Sequence, residues 1–181
     1  DLGTGSADIP IAAVRWARPA GFNLRVTGVD LHPVTLELAR EHLAANADAA
    51  DRITLIHADA LRLTDRFPAR TFDYVHAGMF LHHLGDIEVR TALAIMDKLA
   101  ARGIVWNDLL RSRLGLAAAN VLTLASPRMV RHDALASIRA AFTADEVRDI
   151  ARRLELGYAA VHADFFTQRF TLAGEKPGAW P

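Results

Sequence analysis

The hydrophobic pattern of this chain alternates between two periods. Short β-rich runs recur: Leu24 to Val29, Ile53 to His57, Phe72 to Ala77 and Gly103 to Asp108. Between them lie helical stretches. One begins near Ala7 and carries Ile9, Ala12, Ala13 and Trp16; Pro19-Ala20-Gly21 breaks it. A second shows Leu36, Ala39 and Leu43 on one stripe, with Glu37, Arg40 and Glu41 on the other side. A third, with Asp86 read as its N-cap, carries Val89, Leu93 and Met96 and ends at Arg102-Gly103. Strand followed by helix, repeated, predicts a parallel sheet covered by helices.

After the fifth strand the rhythm changes. Residues 109–141 read as a helical, apolar insertion with scattered arginines. Thr143 and Glu146 have the spacing of a capping box ahead of Val147, Ile150, Ala151 and Leu154, and Gly157 is expected to end that helix. Tyr158 to Phe166 and Gln168 to Leu172 read as a closing antiparallel hairpin. The expectation is an α/β, Rossmann-like sheet of seven mostly parallel strands. Helices lie on both faces, and the insertion follows the fifth strand.

The chain opens on Asp1-Leu2-Gly3-Thr4-Gly5-Ser6-Ala7, a strand tail, a glycine turn and a helix start. Such a turn lets a ligand approach the backbone, and the helix start offers free N–H groups. Two later strands end in acids, Asp30 and Asp59, and ligands of open α/β sheets bind at the carboxyl ends of strands. A dinucleotide fingerprint fits less well, because its third glycine falls at Asp8, whose charge would repel a pyrophosphate.

The order Asp-Leu-Gly-Thr-Gly, then Asp30, then Ala58-Asp59-Ala60, then Phe80-Leu81-His82-His83-Leu84 resembles the class I S-adenosylmethionine-dependent methyltransferases. The resemblance is specific as a series and covers nearly the whole chain. It implies S-adenosylmethionine as cofactor, bound through Asp1, Gly3, Gly5, Asp30, Leu31, Asp59, Ala60, Ala77 and Gly78. Asp30 would take the ribose hydroxyls, Leu31 would pack on adenine, and Asp59 would accept from the adenine amine. Ala7 stands where the family often has a further glycine. The resemblance lies nearest to small-molecule, quinone or polyketide-type enzymes performing O- or C-methylation. A nicotinamide-dependent oxidoreductase and a non-catalytic cofactor-binding homologue remain the alternatives.

If the acceptor is a hydroxyl, a histidine is suited to taking its proton near neutral pH. The candidates are His82 and His83 after the fourth strand and His132 in the insertion, with Asp108 as orienting acid. Asn107-Asp108 serves equally well as a helix cap. His32, His42, His57, His76 and His162 read as structural.

Composition narrows the partners. The 181 residues carry 21 basic and 21 acidic side chains, which argues against a nucleic-acid partner and for a small, largely apolar acceptor. Leu114, Leu116, Val121, Leu122 and Leu124 would line the acceptor pocket, or else form a homodimer interface. There is no cysteine, so disulfides and thiolate metal sites are excluded, and adjacent histidines do not make a metal site. No signal peptide is visible and no apolar run is long enough to span a membrane, which fits a cytoplasmic protein. The reading expects one domain over residues 1–181, with an N-terminal covering segment of the methyltransferase kind lying outside it.

Overall fold

In the computed structural model, residues 1–179 are described. In chain order they form α1 (Asp8–Ala17), β1 (Val26–Asp30), α2 (Pro33–Ala45), α3 (Ala47–Ala50), β2 (Ile53–His57), β3 (Phe72–Gly78), α4 (Asp86–Leu99) and β4 (Ala100–Leu109). There follow α5 (Arg113–Leu122), α6 (Arg128–Ala140), α7 (Ala144–Arg153), β5 (Ala159–Asp164) and β6 (Arg169–Glu175), with 3₁₀ turns at Ala60–Asp65 and Leu81–His83.

The sheet has two leaves. In one, β1 pairs with β2 in parallel, Val26 opposite Ile53 and Asp30 opposite His57. In the other the order is β3-β4-β6-β5, with β3 parallel to β4 and β6 antiparallel to both its neighbours. Leu2 joins the leaves, forming parallel bridges to Val29 and to Ala77. Its N–H donates to His76 O at 2.8 Å, and Val29 N–H donates to Asp1 O at 2.9 Å. The expected seven-strand count is therefore not reached. Six strands are present among the described residues, and Asp1-Leu2 occupies the first strand's place only as a bridge, too short to pair as a ladder. The glycine turn that follows sits where strand order reverses, the switch point at which ligands of such sheets bind.

Burial falls into two clusters. Ile11 and Val14 of α1 pack with Leu43, Ala49 and Ile53 in the smaller. The larger gathers Leu63, Val89, Leu93, Met96 and Leu99 with the β3-β4-β6 leaf. Trp106, fully buried, meets Phe170 and Phe142 edge-on at 4.8 and 5.1 Å between ring centroids. Leu36, Ala39 and Leu43 are buried on α2 as the stripe predicts. On α1 the predicted stripe is wrong: Pro10, Ile11, Val14 and Ala17 are buried, whereas Ile9 and Trp16 are exposed. Apolar residues occur all round this helix, so periodicity alone leaves its phase open. Trp16 instead stacks on Phe22 at 5.8 Å.

Three ends of elements also differ from expectation. Gly85, not Asp86, is the N-cap of α4, and its N–H donates to Glu88 Oε2 at 2.8 Å. Ser112 caps α5, accepting from Gly115 N–H at 2.8 Å, so Asn107-Asp108 is not a helix cap. Helix α7 ends not at Gly157 but through Glu155, at φ +56°. The N–H of Leu156 donates to Ala151 O at 2.9 Å and that of Glu155 to Arg152 O at 3.2 Å, the paired bonds of a Schellman end. The predicted capping box of α7 is present: Thr143 N–H donates to Glu146 Oε2 at 2.8 Å and Glu146 N–H to Thr143 Oγ1 at 3.3 Å.

Candidate active site

The glycine turn is built by left-handed backbone. Gly3, Gly5 and Ala7 have φ of +63°, +57° and +64°. Gly3 is required twice over, since a Cβ there would lie 2.4 Å from the Phe80 ring. At Gly5 a Cβ would meet nothing within 4 Å, so the turn is open on that side. Ala7 is fully buried and spends alanine in a conformation glycine adopts more cheaply.

Asp30 ends β1 beside this turn and is 8% exposed. Its Oδ2 accepts the Gly5 N–H at 3.0 Å and its Oδ1 accepts the His32 N–H at 2.9 Å. One carboxylate thus ties the turn to the strand end and keeps further lone pairs for a ligand. Leu31 beside it is 54% exposed, an apolar side chain facing solvent. His57 Nε2 lies 2.8 Å from Leu31 O and fixes that loop. Asp59 caps the 3₁₀ turn that follows β2, accepting Leu61 N–H at 2.8 Å through Oδ1. Ala60 is buried.

Asp1 faces inward. Its Oδ2 accepts the Thr4 hydroxyl at 2.7 Å, and its Oδ1 lies 2.6 Å from His76 Nδ1. Burial lowers the His76 pKa to about 4. This lock beneath the turn escaped the sequence reading, because residues 75 positions apart give no local signal. Ala77 is fully buried, and the space a Cβ would take at Gly78 is occupied by His76 and Ile9, at 2.7 and 2.9 Å.

At the ends of β3 and β4 lies a second group. Asp108, fully buried, accepts four hydrogen bonds: His82 Nδ1 at 2.6 Å, Leu109 N–H at 2.9 Å, and His82 N–H and Trp106 Nε1–H at 3.2 Å each. Trp106 and Asp108 are two residues apart on one strand, so they share a face, and the aromatic cluster that holds Trp106 also aims the carboxylate. Burial alone would raise the Asp108 pKa. The bonds from His82, Leu109 and Trp106 outweigh it, and the net direction is down. An ionised carboxylate only accepts, so Nδ1 of His82 carries the shared proton and Nε2 is left with its lone pair. The His82 side chain is 3% exposed, and Nε2 has no hydrogen bond to a described residue.

The His83 ring lies 4.0 Å from that of His82 between centroids, tilted by 41°, and His83 is itself exposed. Burial and His82 lower its pKa, against the pull of Asp108 and Asp133. Helix α6 reaches the 3₁₀ turn that bears both histidines. Asp133 acts on His83, and His132 beside it on α6 is exposed. Asn107 turns toward β6, donating through Nδ2 to Phe170 O and Thr171 Oγ1, both at 2.9 Å.

Gly5, Asp30, Asp59, Gly78, His82 and Asp108 thus sit at one end of the sheet, the C-terminal ends of its parallel strands. A cavity of about 730 Å³ lies at the other end. It is lined by Trp16, Phe22, Val26, Phe67, Phe72 and neighbours. Its walls are largely apolar, and none of Gly5, Asp30, Asp59, His82 or Asp108 lines it. Among the described residues no group of three or more His, Asp or Glu could hold a metal ion.

The open glycine turn thus lies at the switch point of a Rossmann-like sheet, with acids at the neighbouring strand ends. Residues 1–103 match the methyltransferase domain family, and the chain belongs to that family. A ribosomal protein L11 methyltransferase from Pelobacter propionicus is 37% identical over 105 residues, 58% of this chain and 29% of the relative. Among solved structures, a protein from Nostoc punctiforme assigned as an O-methyltransferase superposes with a TM-score of 0.69 at 18% identity, covering 97% of this chain and 50% of that one. Magnesium protoporphyrin IX methyltransferase from Synechocystis, solved with bound S-adenosylhomocysteine, gives 0.65 at 16% identity, with 97% and 72% covered. The chain therefore spans under a third of the curated relative it matches and half of the Nostoc protein.

Proposed function

We propose that this chain binds S-adenosylmethionine and transfers its methyl group to a small, largely apolar acceptor, at oxygen or carbon. The observation that carries the reading is the open turn at Gly5 tied to Asp30, with exposed Leu31 beside it and Asp59 at the next strand end. These residues fit the cofactor. Asp30 has lone pairs for ribose hydroxyls, Leu31 offers an apolar face to adenine, and one Asp59 oxygen remains beyond its capping bond. When bound, the cofactor supplies a methyl group already activated by its sulfonium.

The protein's share is positioning and, for a hydroxyl acceptor, proton removal. His82 is held by Asp108 in the tautomer that leaves Nε2 able to accept. The acceptor oxygen loses its proton to Nε2 as it gains the methyl, and Asp108 stabilises the imidazolium that results. His83 is the neighbouring candidate and His132 the more distant one. A carbon acceptor that needs no base would use proximity alone. The acceptors in the relatives' names, a ribosomal protein and a magnesium porphyrin, differ widely. The apolar-acceptor reading rests instead on the apolar composition of the insertion and on the balanced overall charge.

Calorimetric titration with S-adenosylhomocysteine and with NADH is the test. Binding of the first and not the second is expected. Tight NADH binding without the homocysteine compound would overturn the reading in favour of an oxidoreductase. A binder that transfers labelled methyl to no acceptor in a broad screen would be a non-catalytic relative.

A further inference from the structure

The insertion between β4 and α7 departs from the charge balance of the rest of the chain. Residues 109–141 hold five arginines, Arg111, Arg113, Arg128, Arg131 and Arg139, against one acid, Asp133. Arg111 pairs with Glu146, and Arg131 donates to Asn120 Oδ1 at 2.7 Å. Arg113, Arg128 and Arg139 bond no side chain among the described residues.

The same stretch exposes Leu114, Val121, Leu122, Leu124, Met129 and Val130, each by more than half. Helix α5 buries only Gly115, and α6 buries nothing. Leu122 and Leu124, 80% and 63% exposed, flank the turn that leaves α5. A second apolar tip is formed by Phe165 and Phe166 in the β5–β6 turn, where Phe166 is entirely exposed. That turn is fastened to the segment that enters α5: Leu110 N–H donates to Gln168 O at 2.9 Å, and Ser112 Oγ bonds the Gln168 side chain. Because β5 and β4 are both antiparallel to β6, this turn lies at the C-terminal end of the sheet, the end of Asp108 and His82.

A solvated helical face has no use for protruding leucine, methionine and phenylalanine. A single-stranded nucleic acid would use the arginines and stack on Phe165 and Phe166, but it would leave Leu114, Leu122, Leu124 and Met129 in water. An anionic bilayer surface takes both, admitting apolar tips to the acyl boundary while guanidinium groups stay among the phosphates. We infer that α5, α6 and the β5–β6 turn form a docking face for an anionic phospholipid surface, with the mouth of the candidate active site turned toward the membrane. The inference goes beyond methyl transfer and is read without any cofactor. It calls for no spanning helix, and among the described residues none is long and apolar enough to be one.

Co-sedimentation of the 181-residue chain with large vesicles tests it, using phosphatidylcholine alone or with about a third phosphatidylglycerol. The chain should sediment with the anionic vesicles and bind neutral ones at least about tenfold more weakly. Replacing Arg113, Arg128 and Arg139 together by glutamate should weaken anionic-vesicle binding by about a hundredfold, near fivefold or more per arginine. Leu122→Ser with Leu124→Ser should weaken it on its own by about tenfold. Both variants should keep the circular dichroism and melting curve of the parent, which shows that they fold. No sedimentation of the parent with anionic vesicles, or undiminished binding by the arginine variant, would overturn the proposal. So would a dimer seen by light scattering that Leu122→Ser dissolves in a protein that ignores vesicles; that face would then belong to a second copy.

Discussion

His82 reaches Asp108 twice, through its ring nitrogen Nδ1 at 2.6 Å and through its own backbone N–H at 3.2 Å. The ring is therefore oriented by the same carboxylate that fixes the turn carrying it. Asp108→Asn should lower turnover on a hydroxyl acceptor by roughly 10²–10⁴-fold, the range of base catalysis, because an amide does not hold the reactive tautomer or stabilise the imidazolium. His82→Ala should fall in the same range. Affinity for S-adenosylhomocysteine should stay nearly unchanged in both, read by calorimetry beside steady-state kinetics. Full turnover in His82→Ala and in the His82/His83 double variant would remove the base from this pair.

Asp30→Ala should weaken cofactor binding by about 1–3 kcal/mol. The variant loses the ligand's partner and also frees the Gly5 and His32 N–H groups that shape the turn. Titration with S-adenosylhomocysteine measures the change, and unaltered affinity would take Asp30 out of the site.

Backbone strain gives predictions of opposite sign. Glu155→Gly should raise stability by about 0.5–1 kcal/mol, since φ +56° suits glycine and the Glu155 side chain is exposed. Gly3→Ala should lower it by roughly 2–4 kcal/mol, because the left-handed φ and the Phe80 ring both oppose a Cβ. Urea unfolding of both variants decides.

Stability should fall with acid in two stages. His76 has a folded pKa of about 4 against an ordinary 6.5. Below pH 6.5 the unfolded chain takes up a proton that the folded one refuses, so stability drops as pH falls from 6.5 to 4, by roughly 3 kcal/mol in full. Asp108 is lowered from 3.8 by its hydrogen bonds, so its contribution is present above pH 3.8 and is lost as pH falls through its lower folded value. Urea melts at a series of pH values should show the first stage in the parent and lack it in His76→Asn. An equal loss in that variant would sink the assignment.

The order of strands and helices was legible because short β-rich runs alternate with helix-length stretches, several of them punctuated by glycine or proline (Pro19-Ala20-Gly21, Pro33, Gly103), and so was the helical insertion. The strand-end acids Asp30 and Asp59 could be picked out because a period-2 run stops at each of them. The tautomer-setting bond between His82 and Asp108 was not legible, since it spans 26 positions. Nor was the lock of His76 on Asp1. Glu155 stood unnoticed at the end of α7 because Gly157, two residues on, carries the usual signal for a helix stop. Asn107 faces β6 rather than a helix start because the pleat, not its residue type, sets its direction.

Asp30 ends β1 and Asp59 follows β2, whereas Gly78, His82 and Asp108 belong to the ends of β3 and β4. A molecule gripped by Asp30 on one side and seated against Gly78 on the other acts as a cross-brace between two strand pairs. Its binding energy would then resist their parting, and amide exchange at Val29 and Ala77, whose bridges to Leu2 lie beneath the turn, would slow on binding.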